Sequence, residues 1–196
     1  GESQPISGRE VWMSGSEGGN YKNLESFKPE PKSAVEYLIE TVNASPQSIE
    51  IVAIGPLTNI AHAINSSPDF IKNVKRVWIM GGDFTETKVE HNFKCDTGAA
   101  KIVLESHVPI SILDLPNSQK TIIRMPEIDR IKNAPILGQL LYSEIMSWIT
   151  PRNQDWTIPH DPIAALAMIA PEYFDASPIG QVTIDDDGKS FWKETL

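Results

Sequence analysis

Three short runs of mostly apolar, β-branched residues constrain the fold of this chain most. They span residues 49–54, 74–80 and 108–113, and their length and composition are typical of buried strands. The segments between them place apolar residues at helical spacing. Strands that alternate with helices form parallel sheets, because a parallel pair needs a crossover connection. The sequence therefore predicts an α/β fold with an open, mostly parallel sheet flanked by helices.

Local signals mark several helix boundaries. Ser33 and Glu36 have the spacing of a capping box, which predicts a helix that begins after Ser33. Asp96 is placed to cap a later helix. Residues 126–150 are predicted to be helical, with Pro135 at a start or a break because proline cannot continue a helix.

The two ends of the sequence do not begin or finish a regular element. Residues 1–32 are rich in Gly and Pro and are predicted to be a loop-rich entry segment. Residues 181–184 predict a strand, and residues 185–188 a turn into a further strand. We therefore expect one domain over residues 1–196 that is incomplete at both ends and leaves a sheet edge exposed.

Composition and charge argue against several functions. The formal net charge of −9 argues against nucleic-acid binding, which needs clustered Lys and Arg. No apolar run is long enough to cross a membrane. Cys95, the single cysteine, excludes an internal disulfide and is expected to be buried. The first residues lack the apolar core of a signal peptide, so a cytoplasmic location is the default expectation.

Polar side chains follow each predicted strand, where open parallel sheets bind their ligands. They are carboxylates, amides, hydroxyls and an imidazole: Thr58, Asn59, Asp83, Glu90, His91, Asn92 and Asp114. His160 and Asp161 stand at the start of an apolar, mostly buried helix, where Asp161 is expected to be the cap before Pro162. Acidic and amide groups without a basic cluster suit a polyhydroxyl ligand and a hard cation such as Ca²⁺ or Mg²⁺.

The same residues also have structural explanations. Asp161 before a proline is most often a helix cap. Glu90 and Asn92, two apart in a predicted loop or extended segment, could be ordinary solvated residues. Trp156 could stack on a base or simply pack. The types and spacing of these residues do not decide between the functional and the structural explanations.

Four segments together resemble the inosine-uridine-preferring nucleoside hydrolase family. They are residues 53–61, 77–82, 90–100 and 159–164, in the family's order. The resemblance covers roughly residues 33–190. It implies a Rossmann-like nucleoside hydrolase fold and a calcium-dependent enzyme of nucleoside salvage that splits ribonucleosides into free base and ribose. It also implies a homo-oligomer, either a dimer or a tetramer.

The resemblance implies a role for individual residues. Thr58 would offer its backbone carbonyl, and Asp161 its carboxylate, to Ca²⁺. Met80, Glu90 and Asn92 would line the ribose pocket. His160 would protonate the departing base. Trp156 is a further candidate, on whose ring the base could stack. Because an aromatic ring accepts any base, this role leaves the base preference open.

The sequence departs from the family at one decisive point. The N-terminal Asp-x-Asp-x-x-x-Asp-Asp motif of the family, which supplies the metal site and the base that activates water, is absent. The remaining metal donors are too few for Ca²⁺, which takes about six to eight oxygens. Residues 85–88 also lack an Asn that the family carries, and Thr97 and Gly98 replace a Pro-Glu pair, a change we interpret as structural.

Two functional alternatives follow from this departure. The chain is either part of a catalytic hydrolase, poorly active alone, or a relative without catalysis that binds ribose, a nucleoside or a protein partner. A sugar-phosphate enzyme is disfavoured, because no Gly-rich phosphate loop precedes a helix.

Overall fold

The structure is a computed structural model that describes Ser26 and residues 28–195. The described residues form two compact units. The first holds residues 31–118 and 160–195, and the second holds the described residues before 31 together with residues 119–159. Most of the loop-rich entry segment lies outside the described residues. The single domain expected over residues 1–196 stays a prediction.

A parallel sheet of three strands forms the centre of the first unit. Its strands are β1 (Glu50–Ala53), β2 (Arg76–Met80) and β3 (Ile110–Leu113), paired in the order β1–β2–β3. Val77 and Ile79 of the central strand are buried. The three predicted strands and their parallel pairing are confirmed.

Helices account for most of the remaining regular structure. In chain order they are α1 (Ala34–Ala44), α2 (Thr58–Ser66), α3 (Pro68–Asn73), α4 (His91–Cys95), α5 (Thr97–Glu105), α6 (Leu115–Ser118), α7 (Met125–Lys132), α8 (Gly138–Ile149) and α9 (His160–Ile169). Short 3₁₀ helices follow at Thr150–Arg152 and Pro171–Tyr173. Among the described residues, none of these helices is long and apolar enough to cross a lipid bilayer.

Local capping determines where α1 and α5 begin. The Glu36 backbone N–H donates to Ser33 Oγ at 3.2 Å, and the Ser33 N–H donates to Glu36 Oε2 at 3.0 Å. Asp96 Oδ1 accepts the Ala99 N–H at 3.1 Å. Both predicted caps are confirmed, because each bond joins residues three apart and depends on the local sequence alone.

The hydrophobic core of the first unit lies between the sheet and the helices that connect its strands. Fully buried side chains include Val42 of α1, Phe70 of α3, Val77 of β2 and Val103 of α5. Burying a side chain of this size contributes about 1.5–3 kcal/mol to stability. Cys95 is buried as well, as expected.

Helix α9 corrects two expectations. The helix begins at His160, so Asp161 lies within its first turn and is not its cap. A carboxylate there still interacts favourably with the helix dipole. The helix is also half-buried, with Ala164 its one fully buried residue.

A β-hairpin completes the described part of the first unit. Strands β6 (Gly180–Ile184) and β7 (Ser190–Glu194) pair antiparallel, as their spacing predicts. Asp185 Oδ1 accepts the N–H groups of Asp187 and Lys189, at 3.1 and 2.8 Å, which closes the turn. This acidic run is therefore a turn, as expected.

The second unit contains a pair of packed helices and a two-stranded ribbon. Helices α7 and α8 are separated at residues 133–137, which confirms a break around Pro135. At Gly138 an added Cβ would lie 2.5 Å from the Ile131 carbonyl oxygen, so the helices approach too closely there for a side chain. The ribbon pairs β4 (Ile123–Arg124) with β5 (Trp156–Thr157). Neither strand was predicted, because two residues are too short to show a period.

Candidate functional site

The carboxyl end of β2 turns sharply through two glycines. An added Cβ at Gly81 would lie 2.5 Å from the Phe93 ring, so the ring occupies the space of a side chain. Gly82 has a φ of +81°, a left-handed conformation that favours glycine. Packing against Phe93 explains why residue 81 is a glycine, and the left-handed backbone explains why residue 82 is one.

Glu90 joins this turn to helix α4. Its Oε1 accepts the Asn92 N–H at 2.8 Å, and its Oε2 accepts the N–H groups of Phe93 and Gly82, both at 3.1 Å. The side chain is therefore the N-cap of α4. Burial raises the pKa of Glu90, against the opposing effect of the three N–H donors. The expected loop or extended segment is wrong here, because this carboxylate nucleates a short helix.

Asn92 lies in the first turn of α4 and contacts Met80. Its Nδ2 donates to the Met80 carbonyl oxygen at 3.0 Å and approaches the Met80 sulfur at 3.5 Å. Met80, Glu90 and Asn92 are all buried. The three residues expected to line a ribose pocket are thus brought together at the end of β2.

Helix α6 is attached to the same turn. The Leu115 N–H donates to the Gly82 carbonyl at 2.8 Å. Asp114 Oδ1 accepts both the N–H and the side-chain amide of Asn117, at 3.1 and 2.6 Å. The carboxylate of Asp114, which the sequence placed at the sheet edge, therefore stabilises the start of α6.

His160 contacts the last residue of α6. Its Nδ1 lies 2.7 Å from Ser118 Oγ, and Ser118 is fully buried. Burial lowers the pKa of His160, and the neighbouring Asp161 carboxylate partly opposes this. Burial likewise raises the pKa of Asp161, against the effect of His160. Sequence reasoning missed Ser118, although this serine lies in a polar turn directly after a predicted strand.

A continuous series of contacts joins the two halves of the site within the first unit. Glu90 binds the Gly82 N–H, and the Gly82 carbonyl binds the Leu115 N–H. Ser118 Oγ donates to the Leu115 carbonyl at 2.8 Å and contacts His160. The imidazole and the buried Met80–Glu90–Asn92 group therefore lie at the same edge of the sheet.

Asp83 is a buried carboxylate with a structural task. Its Oδ1 accepts the Thr85 N–H at 2.9 Å and the Thr85 hydroxyl at 2.5 Å, and its Oδ2 accepts the Thr87 hydroxyl at 3.1 Å. Burial, the largest single influence, raises the pKa of Asp83, but these bonds and one from the Lys88 N–H together leave it below its ordinary value. This carboxylate is committed to the loop that carries it.

The two expected metal donors lie in the first unit. Thr58 is the first residue of α2, and its hydroxyl donates to Asp96 Oδ2 at 2.6 Å. Its backbone carbonyl remains the atom predicted to bind Ca²⁺. Asp161 is half-buried beside His160.

These two residues alone do not fit a calcium site. Ca²⁺ takes about six to eight oxygen ligands. Within residues 28–195, three or more His, Cys, Asp or Glu side chains nowhere gather to hold a metal ion. The described residues therefore do not complete the site, in agreement with the missing aspartate motif.

Trp156 belongs to the second unit. It lies on β5, opposite Arg124 of β4, and is half-buried. Its proposed stacking on a base stays a prediction.

Comparison with known proteins supports one family. The family model described as inosine-uridine preferring nucleoside hydrolase matches residues 1–195. The pyrimidine-specific ribonucleoside hydrolase RihA of Citrobacter koseri is 30% identical over 160 residues, which cover 76% of this chain and 51% of that protein. The chain thus spans about half the length of the curated relatives it matches.

Solved structures give the same result. A plant nucleoside hydrolase, PpNRh1, has a TM-score of 0.81 at 26% sequence identity, over 91% of this chain and 60% of the plant chain. The purine-preferring ribonucleoside hydrolase from Gardnerella vaginalis has a TM-score of 0.76 over 86% of this chain and 58% of its own, and its 24% identity supports the fold alone. The expected fold class is confirmed. Sequence and structure agree that the chain belongs to the inosine-uridine preferring nucleoside hydrolase family.

Proposed function

We propose that this chain carries part of an active site that hydrolyses the N-glycosidic bond of ribonucleosides to free base and ribose. The observation that supports this most is the hydrogen-bonded series from Glu90 to His160. It joins a buried acid and amide to an imidazole at the carboxyl end of a parallel sheet, where such folds bind ligands. The names of RihA and of the plant relative support the same reaction class.

The proposed chemistry divides into departure of the base and addition of water. The bond between C1′ and the base nitrogen breaks, and its electron pair leaves with the base. His160, in its protonated form, gives a proton to that base, a contribution typically worth about 10²–10⁴-fold in rate. Water then adds to the electron-poor C1′ and loses a proton to the solvent, which gives ribose and allows His160 to take up a proton again.

Glu90 retains the capacity to bind ribose while it caps α4. A carboxylate has about four lone-pair sites, and backbone N–H groups of Gly82, Asn92 and Phe93 use three of them. The remaining site is available to a ribose hydroxyl. Negative charge near the sugar would also stabilise the positive charge that develops at C1′ in the transition state.

Calcium remains part of the proposal only because the sequence resembles a calcium-dependent family. Asp161 and the Thr58 carbonyl would be two of its ligands, and the others would come from outside the described residues. No step of the chemistry above is assigned to the ion. The homo-oligomeric state and the cytoplasmic location likewise stay predictions.

The base is proposed to stack on Trp156. Aromatic stacking accepts purines and pyrimidines alike, because every base has a π-face. The relatives do not decide between them, since one is named pyrimidine-specific and another purine-preferring.

Release of free ribose from purine and pyrimidine nucleosides tests the proposal. The assay is run with added Ca²⁺ and with a chelator, on this chain and on the complete native gene product. We expect calcium-dependent release by the complete product and weak or no release by the chain. If the complete product releases no ribose but a nucleoside raises its melting temperature, the alternative of a binding protein without catalysis replaces the hydrolase.

A further inference from the structure

We infer that Ser118 is a positioning residue that fixes the orientation and the tautomer of His160. The inference rests on the proposed function, in which His160 protonates the base. The inference is based on the distance of 2.7 Å between Ser118 Oγ and His160 Nδ1. Through it, Nε2 becomes the ring nitrogen that exchanges a proton with the substrate.

The direction of this hydrogen bond follows from the single proton of the hydroxyl. Ser118 Oγ donates that proton to the Leu115 carbonyl oxygen at 2.8 Å. The oxygen can then only accept from His160, because a hydroxyl has one donor and two lone pairs. We therefore assign a hydrogen to Nδ1, which in the neutral ring leaves the lone pair on Nε2.

The Ser118 hydroxyl is held in place by its surroundings, so it can orient the His160 ring. Ser118 is fully buried, so water does not compete for its oxygen. Its backbone N–H donates to the Asp114 carbonyl at 3.0 Å, and α6 is tied to β2 through Leu115 and Gly82. The oxygen that faces His160 is thus fixed to the sheet.

Ser190 provides a matched control. It is also buried, and its hydroxyl accepts the Asp83 N–H at 2.9 Å and donates to the Asp83 carbonyl at 3.4 Å. Each serine thus accepts one N–H and donates to one carbonyl, but only Ser118 is bonded to an imidazole. Ser190→Ala measures the cost of removing a buried serine hydroxyl by itself.

The first test reads the tautomer directly and needs no activity. Ring ¹⁵N chemical shifts of the neutral histidines are recorded on this chain, and His160→Gln assigns the signal of His160 among the four histidines. We expect the Nδ1–H form in the wild type and in Ser190→Ala, and a loss of that preference in Ser118→Ala. An Nε2–H form in the wild type, or an unchanged signal in Ser118→Ala, overturns the inference.

The second test uses the complete native gene product with natural nucleosides and with a nitrophenyl riboside, whose leaving group needs no proton. Ser118→Ala is expected to lower kcat for nucleosides by up to about 100-fold, because a displaced catalytic group costs that much, with KM and the riboside rate little changed. Ser118→Thr keeps the hydroxyl and should recover most of the rate. Ser118→Cys, whose thiol is only a weak acceptor, should behave like Ser118→Ala.

The two tests separate this inference from the proposed function. A complete product that never releases ribose removes the proposed function, and the tautomer measurement still decides whether Ser118 orients His160. Equal kcat losses in Ser118→Ala and Ser190→Ala, on both substrates, would show a merely structural role.

Discussion

Thr58 Oγ1 donates a hydrogen bond to Asp96 Oδ2 at 2.6 Å, between residues 38 positions apart. The bond joins the first residue of α2 to the N-cap of α5. Asp96 is fully buried, so its charge depends on protein donors in place of water. The start of α2, which carries a predicted metal donor, is therefore held by the N-cap of α5.

Thr58→Val should destabilise the fold by about 1–3 kcal/mol, because it removes a donor from a buried charge and keeps the shape of the side chain. Urea unfolding of the chain measures the change. Thr97→Val is the matched control, since Thr97 is as buried as Thr58 but its hydroxyl has no hydrogen-bond partner among the described residues. That variant should be neutral or slightly stabilising. Equal losses in the two variants would contradict the role given to the bond.

Glu50 should stabilise the fold more at neutral than at acid pH. Hydrogen bonds from Lys75 Nζ and the Trp78 indole, both at 2.6 Å, lower the pKa of Glu50 from its ordinary value of 4.5. The contribution is present above that value and is lost as pH falls through the lowered pKa. Glu50→Gln should therefore cost less than about 1 kcal/mol at pH 7. The unfolding free energies of wild type and variant should converge in acid.

Glu90 should show the opposite dependence on pH. Burial raises its pKa above the ordinary 4.5, so the folded chain holds this proton more tightly than the unfolded chain. Its stability contribution is complete below pH 4.5 and is lost as pH rises through the raised pKa.

Glu90→Gln removes this titration, so the stability of wild type relative to the variant should fall with rising pH. The variant also loses one N–H acceptor, a cost of about 1–3 kcal/mol at every pH. Urea unfolding at a series of pH values measures both effects. A difference that grows with pH, as for Glu50, would refute the burial argument.

His160→Gln in the complete product should lower the rate with natural nucleosides by about 10²–10⁴-fold. The loss with a nitrophenyl riboside should be small, because that leaving group departs without a proton. Steady-state kinetics on both substrates provide the measurement. His62→Gln, another half-buried histidine of the first unit, is the control and should change neither rate. Equal losses on the two substrates would remove His160 as the acid.

Trp156→Ala should raise KM for nucleosides with little change in the melting temperature. Stacking on an aromatic ring contributes about 1–3 kcal/mol per base, which corresponds to roughly 5- to 150-fold in affinity. Trp148→Ala is the control, because Trp148 belongs to the same unit and is exposed beneath the guanidinium of Arg152, 3.4 Å from its ring centre. An unchanged KM in Trp156→Ala excludes the stacking role.

Short-range chemistry made much of the fold predictable. The Ser33–Glu36 capping box, the Asp96 cap and the break near Pro135 each involve residues a few positions apart, so the sequence contains the whole interaction. The length and the β-branched, apolar composition of three short runs identified the three parallel strands for the same reason. The motif resemblance named Met80, Glu90, Asn92 and His160, and their placement at one sheet edge followed from the rule for parallel sheets.

What the sequence alone determined is therefore the local elements, the α/β class and the residue types of the site. Only the tertiary structure decided which polar groups meet: Glu90 with Gly82, Thr58 with Asp96, and Ser118 with His160, 42 positions apart. The physical reason is that a buried polar atom must find a partner wherever packing provides one, and no periodicity records such pairs. The bond between Glu90 and Gly82 and the serine behind His160 were invisible for that reason.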